Sequence, residues 1–114
     1  MPLLTIRTNV PIDAERRGEL TKKASALVAG QLGKSERYVM VLLQDDQALI
    51  FAGSADPCAL LELKSIGLPE DRTAEISHAL CSLVADETGI AADRVYIEFG
   101  NAQRHMWGWN SATF

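Results

Sequence analysis

Only two cysteines, Cys58 and Cys81, occur in the chain, too few for a disulfide scaffold, and they read as reduced thiols. No apolar run approaches the roughly 20 residues that a membrane helix needs, so no membrane partner is expected. The N-terminus lacks a charged region followed by a long apolar stretch; no secretory signal is expected, and the protein is expected in the cytoplasm. Basic residues are the minority: 11 Lys and Arg against 15 Asp and Glu leave a net charge of -4. The longest cationic groups are pairs such as Arg16-Arg17 and Lys22-Lys23, which argues against a nucleic-acid surface. There is no glycine motif of the phosphate-binding kind and no serine nucleophile motif. His78 and Cys81 stand three apart on a helical stretch, but no third or fourth ligand accompanies them, so neither a metal nor another cofactor is expected. What is present is the balance of a folded chain: 47% hydrophobic and 23% charged residues in 114, suited to a single domain over 1–114.

Residues 3–8 read as a first strand, ended by Asn9-Val10-Pro11. Asp13 offers an N-cap, and Leu20, Ala24, Leu27, Val28 and Leu32 mark one face of a helix that Gly33 stops. The nearly continuous apolar run 38–43 predicts a buried strand, and 49–51 a short one. The loop 53–57 leads into a strand over 59–66, whose second half alternates. Ile76, Ala79, Leu80, Leu83 and Val84 mark a second helix, ended by Gly89. Residues 95–99 form a further strand, and 107–110 a last short one.

The chain says the same thing twice. Val10-Pro11-Ile12-Asp13 corresponds to Leu68-Pro69-Glu70-Asp71, and Tyr38-Val39 to Tyr96-Ile97, each 58 residues on. Two strand–helix–strand units, about 1–55 and 56–114, are each too small to bury a core alone and should share one sheet. The expected fold is α+β: a four-stranded mixed sheet with two helices on one face, plus short edge strands. The other face would then carry many apolar residues of 38–43 and 95–99, and a patch of that kind implies association into a closed ring or a dimer.

With these stretches in place, the sequence resembles the family of macrophage migration inhibitory factor and D-dopachrome tautomerase. The resemblance rests on Pro2, Thr8-Asn9-Val10-Pro11, Gly33-Lys34, Gly53-Ser54-Ala55-Asp56-Pro57-Cys58-Ala59-Leu60, Ser65-Ile66-Gly67, Asp93-Arg94-Val95-Tyr96-Ile97 and Gly108-Trp109-Asn110-Ser111-Ala112-Thr113-Phe114. These span nearly the whole chain in order. The resemblance implies a homotrimer with its sheets around a central channel and a site at each subunit interface. It also implies a keto–enol tautomerase acting on small aromatic 2-oxo acids such as phenylpyruvate, or on dopachrome derivatives.

The chemistry would belong to Pro2. Its secondary α-amine, freed by removal of Met1, has an ordinary pKa of about 8, which an apolar pocket and a nearby cation would lower toward neutrality. That makes a base suited to a proton on carbon next to a carbonyl. By resemblance, Lys34 binds the substrate carboxylate and helps lower the Pro2 pKa, the backbone N–H of Ile66 holds the carboxylate, and Tyr96 arrives from a neighbouring subunit. Tyr38, Trp109 and Phe114 match aromatic pocket positions. Taken on their own, Lys34 is a solvated cation favouring a helix C-terminus, and Ile66 and Tyr96 are packing residues of strands.

Three positions depart from the family pattern. Glu98 stands where asparagine is common, and its charge would repel an acidic substrate or raise the Pro2 pKa. Trp107, in place of a valine, would narrow the pocket. Cys58-Ala59-Leu60-Leu61 lacks a second cysteine, so thiol–disulfide activity is not expected. The family also contains cytokines, which leaves open an interaction protein that meets a receptor after non-classical secretion and keeps the pocket as a secondary feature. A superfamily reaction on halogenated or decarboxylatable acids would call for extra arginines, and Arg72 and Arg104 are not obviously placed for that.

Overall fold

The computed structural model describes residues 1–114. Strand β1 (Leu3–Thr8) leads into helix α1 (Ala14–Leu32), strand β2 (Met40–Gln44) and strand β3 (Ala59–Ile66). Helix α2 (Thr73–Thr88) and strand β4 (Val95–Ala102) follow, and the short strands β5 (Gly108–Trp109) and β6 (Ala112–Thr113) close the chain as a hairpin. The main sheet has the order β2-β1-β3-β4. Within each half the two strands run parallel, as a helical crossover requires, and the halves meet antiparallel along β1 and β3. The expected α+β sandwich of a mixed sheet and two helices is what forms.

Local sequence explains both helices. The Asp13 side chain accepts from the Arg16 N–H, as an N-cap does, and Gly33 ends α1 in the left-handed region at φ 61°. Gly89 ends α2 in the same way at φ 77°. The buried stripes, Leu20, Ala24, Val28 and Leu32 on α1 and Ile76, Leu80 and Val84 on α2, pack onto Leu4, Ile6, Leu61 and Leu63 of the central strands. No helix is long and apolar enough to cross a membrane, and both cysteines are free thiols. Arg72 bridges the helices instead of serving a pocket: it donates to the Gln31 carbonyl at 2.8 Å and pairs with Glu75.

Three expectations are corrected. Residues 49–51 form no strand; only Phe51 is bridged, to Ser54, because no neighbouring strand lies within pairing distance in the chain. Strand β2 begins at Met40 rather than residue 38, after a single helical turn over Glu36–Tyr38, and it is an edge strand with Met40 and Leu42 exposed. The helix-free face is also more polar than expected. Val95, Ile97 and Phe99 pack toward the core, while the outer face sets Arg7, Glu62, Lys64 and Glu98 among Met40, Leu42 and Tyr96. Glu62 there pairs with Arg7 at 3.3 Å and with Lys64 at 3.6 Å.

The duplication reaches further than the sequence suggested. The Phe51–Ser54 bridge recurs 58 residues later as the Trp109–Ala112 pair of the terminal hairpin. Its two turn residues, Ala52 and Gly53 at φ 53° and 73°, recur as Asn110 and Ser111 at 52° and 62°. Positive φ at both central positions gives the two-residue turn that reverses a ribbon with the right twist.

Candidate active site

Pro2 precedes β1, where the absence of an N–H costs no ladder bond, and its carbonyl accepts from the Met40 N–H at 3.0 Å. That bond ties the N-terminus to the start of β2. The Pro2 side chain is less than 2% exposed. It lies in a hollow of about 240 Å³ lined with Met1, Tyr38, Trp107, Trp109 and Phe114 among others. The aromatic wall comes from two distant segments. Ser35 caps the turn that presents Tyr38, and the β5–β6 hairpin folds back so that Phe114 N–H reaches the Trp107 carbonyl. Trp109 and Phe114 stack at 5.5 Å, and each meets Tyr38 edge-on, at 5.5 and 6.2 Å. Such pairs prefer these offset and edge geometries because the ring faces are electron-rich and the edges are not.

Lys34 is placed by the end of α1. Left-handed Gly33 turns the chain so that the Lys34 N–H closes onto the Ala29 carbonyl at 3.0 Å, and the side chain leaves the helix axis. Its Nζ lies 3.7 Å from where a Cβ on Gly67 would sit, next to Ile66 at the end of β3. Gly67 itself is left-handed, at φ 63°. The side chain of Ile66 is buried, so only its backbone can serve a ligand. Lys34 also acts on the N-terminus. The Met1 amine lies below its ordinary value of 8.0, first because burial disfavours its charged form and second because Lys34 repels it. The basic nitrogen, the cation and the Ile66–Gly67 turn thus meet at one end of the sheet.

Two of the expected residues lie elsewhere. Tyr96 is opposite Leu60, and Leu60 is opposite Arg7, whereas Pro2 adjoins Leu3, which is opposite Lys64 and through it Gly100. Four strand residues, roughly 13 Å, separate these levels, so Tyr96 and Pro2 share no pocket within one chain. Tyr96 instead meets Phe51 at a tilt of 58°, with ring centres 4.6 Å apart. Glu98 is exposed on the outer face opposite Glu62 and forms no ion pair. The one charged residue that lines the hollow escaped the sequence reading. Arg37 lines the hollow, with its guanidinium 5.5 Å from the centre of the Tyr38 ring. Its place directly before Tyr38 was the only available signal.

The family model of macrophage migration inhibitory factor (MIF) matches residues 1–114. The chain is similar to the macrophage migration inhibitory factor homolog of Brugia malayi, 44% identical over all of this chain and 99% of that one. It is similar also to the factor of Rattus norvegicus, 37% identical with the same coverage. Among solved structures it resembles the homologue from Prochlorococcus marinus, with 40% identity, a TM-score of 0.93 and 98% of each chain covered. The structure of the factor from Trichinella spiralis follows at 36% identity and a TM-score of 0.90, covering 98% of this chain and 99% of that one. The chain belongs to the macrophage migration inhibitory factor family.

Proposed function

We propose that the protein is a homotrimeric keto–enol tautomerase of small aromatic 2-oxo acids such as phenylpyruvate, with the nitrogen of Pro2 as base once Met1 is removed. The observation that carries this reading is the burial of Pro2 in an aromatic-lined hollow whose terminal amine already feels Lys34. Removal of Met1 transfers the amine to the more deeply buried residue, where desolvation acts more strongly. In the keto-to-enol direction the neutral nitrogen accepts a proton from C3, and the C–H electron pair moves into the C2–C3 bond. The carbonyl oxygen takes up a proton and the proline ammonium returns one to water, so the reaction is a net isomerisation. Lys34 and the N–H of Ile66 hold the carboxylate, and Tyr38, Trp109 and Phe114 receive the ring. Tyr96 and Glu98 can join such a site only from a neighbouring copy, and the trimer supplies them.

The test is direct. Processed protein mixed with enol-phenylpyruvate is followed by ultraviolet absorbance, and no rate above buffer sinks the proposal. Two variants refine it. Lys34→Ala removes the cation that repels the protonated amine, so the Pro2 pKa rises. Because the neutral form is the active one, the rising limb of kcat/KM against pH moves to higher pH, and KM at neutral pH increases about tenfold, as expected for loss of a charge-assisted hydrogen bond. Arg37→Ala removes a more exposed cation; KM rises about two- to threefold, the size expected of a screened surface charge, and the pH limb stays in place. Steady-state kinetics over pH 5–9 separates the two.

A further inference from the structure

The duplication leaves a second hollow at the far end of the sheet. Moving 58 residues along the chain takes Pro2 to Leu60 and Tyr38 to Tyr96, and Phe51 becomes the counterpart of Trp109. Phe51, Leu60 and Tyr96 line a cavity of about 350 Å³ with Leu49, Ile50 and Cys58. An aromatic pair is retained, though its geometry differs: Phe51 meets Tyr96 tilted at 58°, where Trp109 meets Tyr38 edge-on at 81°. The chemistry is not: Leu60 replaces the base, and Ala92 stands where Lys34 does in the first half. This hollow is therefore no second reaction centre. What it supports is the exposed side chain of Tyr96, whose one aromatic neighbour is Phe51.

Beyond its two backbone bonds to Ser54, Phe51 has little of its own to hold it. It belongs to no strand and precedes two left-handed residues. Its loop is fastened by Arg94, two residues before Tyr96, in the helical turn that leads into β4. The guanidinium donates to the carbonyls of Phe51 at 2.8 Å, Asp56 at 2.9 Å, Ser54 at 3.2 Å and Pro57 at 3.3 Å. It also lies 5.1 Å from the centre of the Phe51 ring. Four carbonyls are met by one planar fork, two of them (Phe51 and Ser54) already joined by their own bridge, and the same group covers one side of the ring that supports Tyr96.

We infer that Arg94 is a positioning residue: by fastening the 51–57 loop it fixes Phe51 against Tyr96, and so sets the tyrosine that completes the pocket of the adjacent subunit. This rests on the trimeric tautomerase reading above. The loop has a second anchor in Asn9, whose side chain donates to the Ala55 and Asp56 carbonyls and accepts from the Cys58 N–H. Loss of Arg94 therefore frees the Phe51 end while the other end stays attached.

The test uses full-length processed trimers and enol-phenylpyruvate. Arg94→Ala raises KM about tenfold, as a displaced positioning group does, with kcat within about twofold and the pH limb unmoved. Amide exchange at Phe51 and Ser54 accelerates. Arg94→Lys does not restore KM, because an ammonium cannot span the four carbonyls; should Arg94→Ala fail to assemble, a raised KM in Arg94→Lys carries the same test. Co-expression with Pro2→Ala chains then restores a wild-type KM at about a quarter of all sites, by random mixing in a closed ring, since the Pro2→Ala chain donates an intact Tyr96. An unchanged KM, a loss confined to kcat, or mixed trimers with only the raised KM would overturn the inference. Inactive wild-type trimers would instead remove the tautomerase reading before any variant is compared.

Discussion

Protein that retains Met1 is expected to lose tautomerase turnover by about three orders of magnitude relative to processed protein, the contribution typical of a positioned general base. The loss follows from bonding alone. With Met1 in place, the Pro2 nitrogen is a tertiary amide whose lone pair is delocalised into the carbonyl, and it has no basicity near neutral pH. The free amine then belongs to Met1, at the same pocket but one residue further out. It is a primary amine on a partly buried residue, displaced by the length of a peptide unit from the buried position. Intact-mass measurement of each preparation, paired with initial rates on enol-phenylpyruvate, checks the result. Equal rates in the two preparations would remove Pro2 from the mechanism. Activity of the processed protein is also expected to fall as pH drops, because protonation removes the base; the burial and the Lys34 charge that lower the terminal amine place that fall at lower pH than an ordinary terminal amine would.

Much of the fold can be read from one dimension. Helical periodicity, Asp13 as cap and Gly33 and Gly89 as stops place both helices, and the repeat at 58 residues places the strands. What fails does so for want of partners. Leu49-Ile50-Phe51 has strand-like composition, but a strand needs a neighbour to pair with, and the chain provides only Ser54. The run 38–43 looks buried because a central strand and an edge strand can share composition; the order β2-β1-β3-β4 decides between them. In the candidate site, Pro2, Lys34 and Ile66 were expected only by resemblance to a family, and it is the fold that sets Lys34 beside the Ile66–Gly67 turn and near the N-terminus. Two things were not legible from the residues. The return of Trp109 and Phe114 onto Tyr38 depends on left-handed Asn110 and Ser111. Arg94, noted only as part of a motif, shows its work in the carbonyls it gathers from a loop more than 35 residues earlier in the chain.

Leu61→Ala is expected to destabilise the fold by about 3 kcal/mol, within the range found for burying a cavity in place of a leucine. Leu61 is fully buried in β3, flanked by Ile6 of β1 and Ile97 of β4, where the two halves of the duplication join under the helices. A cavity there cannot be closed by moving one helix, because α1 and α2 pack on the same central strands. Its effect should appear as a melting temperature lower by roughly 10 °C at fixed protein concentration, a condition that matters because association itself adds stability. The site should report something different. Pro2, Lys34 and the aromatic wall stand at the sheet's end and on the hairpin, away from the Leu61 layer, so the folded fraction keeps the pH limb and KM of the parent. A shift in either at a temperature where the variant is fully folded would mean that the central layer sets the position of the base. The two halves would then be coupled through the core.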